Sequence, residues 1–457
     1  MMQKELTFDQ ALSVLTQHGQ NHVLQFWDQL SATERSTLLA QVAAIDFDVL
    51  ARMADELKTH LTATPDASVA TAVPAPVVDP DADSRASAAA SGEAALRDGR
   101  IAALLVAGGQ GSRLGFEGPK GAYPVGPLSN ASLFYFHARK IVALKQRYGQ
   151  PVPLYIMTSD TNDAATRQFF TDNNNFGLDP ADIFFFTQGM WPALDENGKV
   201  ILETPGRIFM SPDGHGGTIS ALAANGGIAD MHRRGIDTIF YFQVDNPLIE
   251  IADPAFIGLH LEQKADISVK VCAKRDPQEG LGVVVISNGK HAMVEYTELS
   301  DDQKQRRTAN GELYFKYGSV AIHLFSLEFI AREAAGDMPL HVAHKKIPYC
   351  DANGTTQKPD TNNGYKFEKF IFDLLPDADK VLCLAFDREE EFAPVKNSTG
   401  NDSPATCRAA LQAKWRRWLQ QIGITIPEDI PIEIDPAYAN YPEELRKGLL
   451  LHKGELP

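Results

Sequence analysis

Cysteine is scarce in this chain of 457 residues. None of its cysteines forms a C-x-x-C pair, so a zinc site or a dithiol redox centre has little support. We expect the thiols to be reduced and mostly buried. They are Cys272, Cys350, Cys383 and Cys407.

Long apolar runs and an excess of basic residues are also missing. No stretch approaches the roughly 18 apolar residues of a membrane-spanning helix, and residues 1–5 lack the apolar core of a secretory signal. We therefore expect a cytoplasmic protein with no membrane partner. The net charge is −16, which argues against broad binding to nucleic acid. In so acidic a chain, cations beside a ligand-binding loop become informative.

The most informative segment is a glycine-rich stretch, residues 108–115, which follows an apolar run beginning at Ile101. The run has the length and flanks of a buried strand. A bare glycine backbone can lie against a phosphate or a nucleobase. Arg113 lies inside the stretch, and Lys120 follows it after Pro119. Together these features predict a site for a polyphosphate, whereas a plain tight turn with solvated cations is the alternative.

The glycine spacing excludes the better-known nucleotide loops. Gly109, Gly111 and Gly115 read G-x-G-x-x-x-G, which is one residue longer than the dinucleotide fingerprint. No G-x-x-x-x-G-K-[ST] occurs, so the segment is not a Walker A loop.

Apolar strand candidates alternate with helical patterns after Ile101. The strand candidates are 153–157, 183–187, 238–244, 267–272 and 282–286, and the helix candidates are 132–148, 162–173, 218–234 and 254–263. Such alternation predicts an α/β fold with a mixed, largely parallel sheet covered by helices. Ligands bind such sheets at the carboxyl ends of the strands. Both the glycine-rich stretch and Asp245 fall at such ends.

These motifs, with others that follow in order, resemble the UDP-sugar pyrophosphorylases, in particular the eukaryotic-type UDP-N-acetylglucosamine pyrophosphorylases. The resemblance covers about residues 101–401. The segments that carry it are 104–115, 119–121, 157–159, 186–190, 211–217, 244–246, 294–296, 341–349, 367–373 and 392–397.

The resemblance implies a Rossmann-like fold of the nucleotidyltransferase type. Helical spacing, linker composition and the extent of the motifs divide the chain into four parts. They are an N-terminal helical region at 1–61, a linker and lead-in at 62–100, a catalytic domain at 101–394 and a small C-terminal domain at 395–457. Ser31 and Glu34 have the spacing of a capping box in the helical region. The linker composition, rich in alanine and proline, makes this region an arm that is separable from the chemistry.

The resemblance also implies transfer of a uridylyl group from UTP to a sugar 1-phosphate, with Mg²⁺ as cofactor. Such a reaction needs cations that position phosphates and stabilise the leaving pyrophosphate. The family's phosphate contacts fall on Arg113, Lys120 and Lys396, and its metal ligand on Asp245. A solvated cation is the alternative for each basic residue, and a turn or helix-capping aspartate is the alternative for Asp245.

Base and sugar recognition fall on further positions by the same resemblance. Gly108, Gly109 and Gln188 would read the nucleoside together with Gly214 and His215. Glu295 would accept hydrogen bonds from sugar hydroxyls. Phe370 and Phe372 would form the wall for an N-acetyl group, although plain core packing is their alternative. Two positions depart from the N-acetylhexosamine pattern, because His215 and Ser319 stand where those enzymes carry asparagine.

The sequence thus predicts an enzyme that makes UDP-N-acetylglucosamine and pyrophosphate from UTP and N-acetylglucosamine 1-phosphate. The alternatives are another hexose 1-phosphate (glucose, galactose or N-acetylgalactosamine 1-phosphate) and a nucleotide-sugar binding protein without turnover. A glycosyltransferase would instead carry a D-x-D metal motif after a strand. Residues 79–83 have that spacing but follow no clear strand. The sequence does not determine the oligomeric state.

Overall fold

A computed structural model describes residues 6–62 and 71–451 of the chain. Within these residues no helix combines the length and the apolar character needed to cross a membrane. The helices are α1 Phe8–Gln17, α2 Ala32–Ala44, α3 Phe47–Thr62, α4 Ala82–Arg97, α5 Leu133–Tyr148, α6 Asp163–Asp172, α7 Gly217–Ala224, α8 Gly227–Arg233, α9 Pro254–Gln263, α10 Asp301–Gln305, α11 Leu327–Glu333, α12 Arg388–Glu391, α13 Pro404–Gln421 and α14 Pro442–Leu451.

The strands are shorter than the helices on average. They are β1 Val73–Pro74, β2 Ile101–Val106, β3 Leu154–Thr158, β4 Ile183–Thr187, β5 Met190–Pro192, β6 Leu202–Thr204, β7 Arg207–Ile208, β8 Met210–Pro212, β9 Thr238–Gln243, β10 Ile267–Ala273, β11 Val283–Ser287, β12 Lys290–Val294, β13 Tyr317–Ser326, β14 His341–Lys345, β15 Tyr349–Cys350, β16 Thr356–Gln357, β17 Gly364–Glu368 and β18 Val381–Ala385.

A seven-stranded sheet in the order β18-β10-β13-β9-β2-β3-β4 is the centre of the fold. All its neighbours are parallel except β13, which runs antiparallel to both β10 and β9. The mixed, largely parallel sheet predicted from the sequence is therefore confirmed. Because β13 is reversed, its first residues lie at the edge where the parallel strands end.

The predicted elements match the observed ones closely, with one exception. All five strand candidates are strands within a residue of their predicted bounds, and the capping box of Ser31 and Glu34 is formed at the start of α2. The single helix expected over 218–234 is instead two helices, α7 and α8. Gly226 adopts a left-handed φ of 80° between them, a conformation that interrupts an α-helix and suits glycine.

The described residues group into two compact units. The larger takes the described parts of Ala67–Gln188, Thr218–Gly336 and Leu374–Pro457, and the smaller takes those of Met1–Asp66, Gly189–Gly217 and Asp337–Asp373. Both units are thus assembled from three separate stretches, whereas the four predicted ranges are contiguous. Those ranges stay a prediction about independently folding parts.

The larger unit contains the seven-stranded sheet and its helices. One apolar core joins β2, β3 and β9 to α5 and to the C-terminal helix α13. Trp415 of α13 stacks on Phe136 of α5 with ring centroids 6.2 Å apart. Helix α13 therefore shares the core of the sheet.

The smaller unit packs α1, α2 and α3 against short two-stranded ribbons. A single apolar cluster joins Leu15, Leu38 and Met53 of these helices to Leu194 and Phe367, and every one of these side chains is buried. Removing these helices would therefore expose apolar surface and lower stability. The separability of residues 1–61 from the chemistry stays a prediction.

Helix α4 lies inside the segment expected to be a linker. The prolines that suggested a linker all precede Asp81, whereas the helix itself is alanine-rich, and alanine is the best helix former. A Cβ atom at Gly92 of α4 would meet the backbone of Pro254, and one at Gly258 of α9 would meet the backbone of Ala88. The two glycines thus let α4 and α9 cross at backbone contact.

Candidate functional site

The glycine-rich loop leaves β2 at the carboxyl edge of the seven-stranded sheet and folds back on itself. Gly111 N–H donates to Gly118 O at 3.0 Å, and Lys120 N–H donates to Gly109 O at 3.0 Å. Gly115 takes a left-handed φ of 69° at the tip. The loop is therefore a closed turn that places Lys120 beside its own beginning.

Two polar residues that follow β3, Ser159 and Asn162, hold this loop. Ser159 lies in the resemblance segment 157–159, but the sequence assigned neither residue a role. Ser159 Oγ donates to Gly108 O at 2.8 Å. Asn162 Nδ2 donates to Ala107 O at 2.9 Å and to Gly109 O at 3.2 Å. A signal was present, because both are small polar residues directly after a predicted strand, at the sheet edge where ligands bind.

Gln188 follows β4 at the same edge of the sheet. It is 8% exposed, and its backbone N–H donates to Thr158 O at 2.9 Å. A Cβ atom at Gly108 would lie 2.6 Å from Gln188 Oε1. Glycine at 108 is thus required for the close approach of this amide, which can donate and accept at a base edge.

Asp245, Lys120 and Lys396 come together beyond the end of β9. Lys120 Nζ lies 3.2 Å from Asp245 Oδ2, and both side chains are largely buried. Val395 N–H donates to Asp245 O at 2.8 Å, which brings Lys396 to the same place. These three residues are separated by more than 100 positions, yet they form one cluster beside the glycine-rich loop.

The two lysines determine the ionisation of Asp245. Burial is the largest influence on its pKa and would raise it, but the charges of Lys120 and then Lys396 outweigh burial. The pKa of Asp245 is therefore lowered from its usual value. An ionised carboxylate paired with Lys120 and influenced by the charge of Lys396 suits the binding of anionic phosphate together with a cation.

Arg113 lies on the exposed face of the loop, in the short 3₁₀ helix Ser112–Leu114. Within the described residues its guanidinium forms no ion pair. Its fork can bind two oxygens of one phosphate group.

Glu295 and Ser319 meet at Gly282 in the larger unit. Ser319 N–H donates to Gly282 O at 2.8 Å, and a Cβ atom at Gly282 would lie 3.1 Å from Glu295 Oε1. Ser319 lies near the start of β13, hence at the carboxyl edge. The structure therefore brings these two candidate sugar-binding residues together.

His215, Phe370 and Phe372 form an aromatic cluster in the smaller unit. The His215 ring stacks on Phe370 at 5.3 Å and packs against Phe372 at 5.6 Å. Ile371 N–H donates to His215 Nδ1 at 3.1 Å, so Nε2 carries the proton. Burial, with a smaller effect of His341, lowers the pKa of His215 to about 4. The histidine is thus neutral and fixed in one tautomer.

Gly214 lets its loop lie against the end of β17. It adopts a left-handed φ of 85°, and a Cβ atom there would lie 2.5 Å from Lys369 O. Next to it, Lys369 N–H donates to Asp213 O and Gly216 N–H donates to Lys369 O, both at 2.8 Å. The loop around His215 is therefore fixed by backbone bonds.

One group of three acidic side chains within the described residues is close enough to share a cation: Glu250, Asp253 and Glu391. Lys270 Nζ occupies that position instead, at 2.8 Å from Asp253 Oδ2 and 2.6 Å from Glu391 Oε1. A buried ammonium is already paired with two of these three carboxylates, so the group does not fit a metal site.

Asp245 does fit a magnesium ligand. Mg²⁺ in phosphate-transferring sites takes one or two carboxylates and completes its shell with phosphate oxygens and water. Lys120 bonds only Oδ2 of Asp245, which leaves Oδ1 for such an ion. By contrast, the D-x-D spacing at 79–83 serves the helix, because Asp81 Oδ1 accepts from Ser84 N–H at the start of α4.

Comparison with known proteins gives concordant matches. The family model of UTP–glucose-1-phosphate uridylyltransferase matches residues 68–403. Human UDP-N-acetylhexosamine pyrophosphorylase-like protein 1 is 38% identical and is aligned over 90% of this chain and 85% of its own length. The UDP-N-acetylglucosamine pyrophosphorylase of Saccharomyces cerevisiae is 36% identical, over 79% of this chain and 80% of its own.

A solved structure extends the similarity to the fold. The uridine diphosphate N-acetylglucosamine pyrophosphorylase of Trypanosoma brucei superposes with a TM-score of 0.82 at 32% identity. The match covers 97% of this chain and 95% of that one.

Proposed function

This chain belongs to the UDP-sugar pyrophosphorylase family of uridylyltransferases, and we propose that it makes UDP-N-acetylglucosamine and pyrophosphate from UTP and N-acetylglucosamine 1-phosphate. The observation that carries the proposal is the cluster of Lys120, Asp245 and Lys396 beside a closed glycine loop. The names of the relatives support the choice of sugar.

The reaction needs no covalent intermediate with the protein. A phosphate oxygen of the sugar 1-phosphate attacks the α-phosphorus of UTP, and the bond from that phosphorus to the β-phosphate oxygen breaks. Pyrophosphate leaves with the electron pair of that bond. Since several anions must approach one another, positioning and charge stabilisation carry the catalysis.

Three cations have distinct roles in this proposal. Arg113 binds the leaving pyrophosphate, on which charge develops. Lys120 lies within the loop turn and contacts the α-phosphate. Lys396 contacts the same phosphate from the segment that follows α12. Each cation is proposed to bind phosphate oxygens more strongly in the transition state than in the ground state. Only such a difference in binding speeds the chemical step.

Asp245 is the proposed ligand of Mg²⁺. The bound ion would neutralise phosphate charge and orient the phosphate oxygens. The carboxylate of Asp245 and the two lysines thus bring charges of both signs to the phosphates.

Nucleoside and sugar recognition fall to the neutral residues. Gly108, Gly109 and Gln188 are proposed to contact uracil, with Gly214 as a further backbone contact. Glu295 and Ser319 are proposed to bind sugar hydroxyls. Phe370 and Phe372 are proposed to contact the N-acetyl group, with His215 beside them. A cytoplasmic location stays a prediction.

A second sugar is favoured by one observation. The imidazole of His215 stacks directly on Phe370. A smaller side chain at position 215 would leave more space beside that ring. If this ring takes the volume of the N-acetyl group, glucose 1-phosphate becomes the better substrate.

A panel of sugar 1-phosphates tests the proposal. The full chain is assayed for pyrophosphate release from UTP with the 1-phosphates of N-acetylglucosamine, N-acetylgalactosamine, glucose and galactose. N-acetylglucosamine 1-phosphate is expected to exceed glucose 1-phosphate in kcat/KM by roughly 10–200-fold, the range for filling one small apolar pocket. Lys58→Ala, an exposed change on α3, is the control that should leave all four rates unchanged.

The outcomes separate the alternatives. Faster use of glucose 1-phosphate would overturn the sugar choice and leave uridylyl transfer standing, and His215→Asn with Ser319→Asn should then restore the acetylated substrate. Binding of UDP-sugar in calorimetry without pyrophosphate release from any substrate would instead indicate a binding protein.

A further inference from the structure

Two chain segments carry the acidic and basic groups of the phosphate cluster. Residues 244–250, which follow β9, carry Asp245 and are called the aspartate segment. Residues 390–396, at and after the end of α12, carry Lys396 and are called the lysine segment. They are far apart in sequence, so their relative position depends on the contacts between them.

Backbone and amide bonds join the two segments near Asp245. Asn246 Nδ2 donates to Glu391 O at 2.7 Å, and Ala393 N–H donates to Asn246 Oδ1 at 3.1 Å. Together with the bond from Val395 N–H to Asp245 O, they form a ladder of three bonds. Asn246 is 5% exposed, and its side chain uses both a donor and an acceptor across the gap.

Lys414 of α13 joins the segments at their other end. Its Nζ donates to Leu248 O in the aspartate segment at 3.3 Å and to Glu390 O in the lysine segment at 2.6 Å. Because one ammonium binds a carbonyl from each side, it acts as a bridge.

Lys140 of α5 offers a matched comparison. It is also buried, and its Nζ also donates to two carbonyl oxygens, those of Pro247 and Ile249. Both of these oxygens belong to the aspartate segment. Lys140 therefore binds one segment alone, whereas Lys414 binds both.

We propose that Asn246 and Lys414 are positioning residues for uridylyl transfer, which hold Lys396 at its place relative to Asp245. The inference rests on the proposed function, since it assumes that Lys396 and Asp245 meet the phosphates. Neither residue has to touch substrate. A shift of about 1 Å in a catalytic group can cost about 100-fold in rate.

The test first measures turnover in three variants of the full chain. Lys414→Met is expected to lower kcat by 10- to 100-fold, with KM for UTP changed less than about threefold, because the glycine loop and Gln188 are untouched. Lys140→Met should keep kcat within about threefold of the parent. Asn246→Asp, which still accepts from Ala393 N–H but cannot donate to Glu391 O, is the second bridging variant in case Lys414→Met does not fold.

A double-mutant cycle then tests whether the loss of kcat in Lys414→Met depends on Lys396. In the Lys396→Met background, Lys414→Met should lower kcat by less than threefold. Equal losses in both backgrounds would mean that Lys414 has a structural role only and would overturn the inference. Full activity of Lys396→Met would instead contradict the proposed role of Lys396, so the two failures are distinguishable.

Amide hydrogen exchange supplies a readout that needs no turnover. The N–H groups of Ala393 and Val395 should exchange at least tenfold faster in Lys414→Met than in Lys140→Met. Unchanged protection of both amides would show that Lys414 does not hold the segments together, whatever the activity.

Discussion

Replacing Lys120 with methionine tests the electrostatics of the phosphate cluster most directly. The change keeps most of the side-chain volume but removes the ammonium that lies 3.2 Å from Asp245 Oδ2. Asp245 then stays buried with Lys396 as its main remaining cationic neighbour. The variant is expected to be less stable at neutral pH and to lose turnover.

The size of the stability loss follows from the geometry. Two unit charges 3.2 Å apart attract by about 5 kcal/mol at an effective dielectric constant of 20. The loss is smaller, because the variant no longer buries the lysine charge and because the side chains are 18% and 12% exposed. Breaking a fully buried pair costs about 3–5 kcal/mol, and an exposed pair contributes less than about 1. We therefore expect a loss of about 2–3 kcal/mol at pH 7.

The pH dependence has a definite sign. In the parent protein the pKa of Asp245 is lowered, so its ionisation stabilises the fold above the carboxyl's usual pKa, and this contribution is lost as pH falls through the lowered value. In Lys120→Met burial is opposed mainly by Lys396, and the pKa rises. Protonation of Asp245 at low pH then removes the poorly paired buried charge from the variant. The difference in the free energy of unfolding between the two proteins therefore narrows as pH falls from 7 towards 4.

Urea unfolding at pH 7, 5.5 and 4 measures this difference, and pyrophosphate release measures the rate. Lys316→Met is the control, because it breaks a pair of similar length, 2.8 Å to Glu312, whose side chains are 36% and 52% exposed. That control should lose less than about 1 kcal/mol. A stability difference for Lys120→Met that stays constant from pH 7 to pH 4 would refute the reasoning.

Three further predictions concern the loop, the helix crossing and the N-terminal helices. Arg113→Ala should lower kcat by about 100- to 1,000-fold, since the loss of one hydrogen-bond donor to developing charge has that effect. The affinity for UDP-sugar, measured by calorimetry, should stay nearly unchanged. A near-native rate would contradict the role of Arg113. Gly258→Ala should lower the free energy of unfolding by about 1–3 kcal/mol. Overlap of the new Cβ atom with the Ala88 backbone outweighs the gain of about 1 kcal/mol in helix propensity. An unchanged urea midpoint would exclude the close crossing of α4 and α9. A chain starting at residue 67 should bind more of a hydrophobic dye than the full chain, because the cluster around Leu194 and Phe367 loses its helical cover; equal dye binding and equal thermal stability would show that the helices are separable after all.

Five strands of the central sheet were predictable because each is a short apolar run with its own local signal: β2, β3, β4, β9 and β10. Strands β13 and β18 of the same sheet were not among the candidates. The loop after β2 was predictable for the same reason, since its glycines and cations lie within a few residues of one another. Helix α4 was not, because composition averaged its alanines with the prolines that precede it. The break at Gly226 was also missed, since apolar periodicity continues across it.

Local patterns were enough to single out Arg113, Lys120 and Asp245, whereas Lys396 was named only by the resemblance to a family, which also suggested the roles of all four. The sequence did not determine that Lys120 and Lys396 both lower the pKa of Asp245. That result depends on the parallel strands, which end at one edge of the sheet and bring residues more than 100 positions apart into contact.

The bridging residues depended on tertiary structure alone. Lys414 lies in a C-terminal helix with no motif around it, and a single lysine in a sequence predicts only a solvated cation. Its position between Leu248 O and Glu390 O arises because α13 packs into the core of the sheet. Local patterns thus predicted most of the elements and the candidate residues of the glycine loop, whereas packing decided which buried donors satisfy which carbonyls, because that pairing depends on distances that no local pattern encodes.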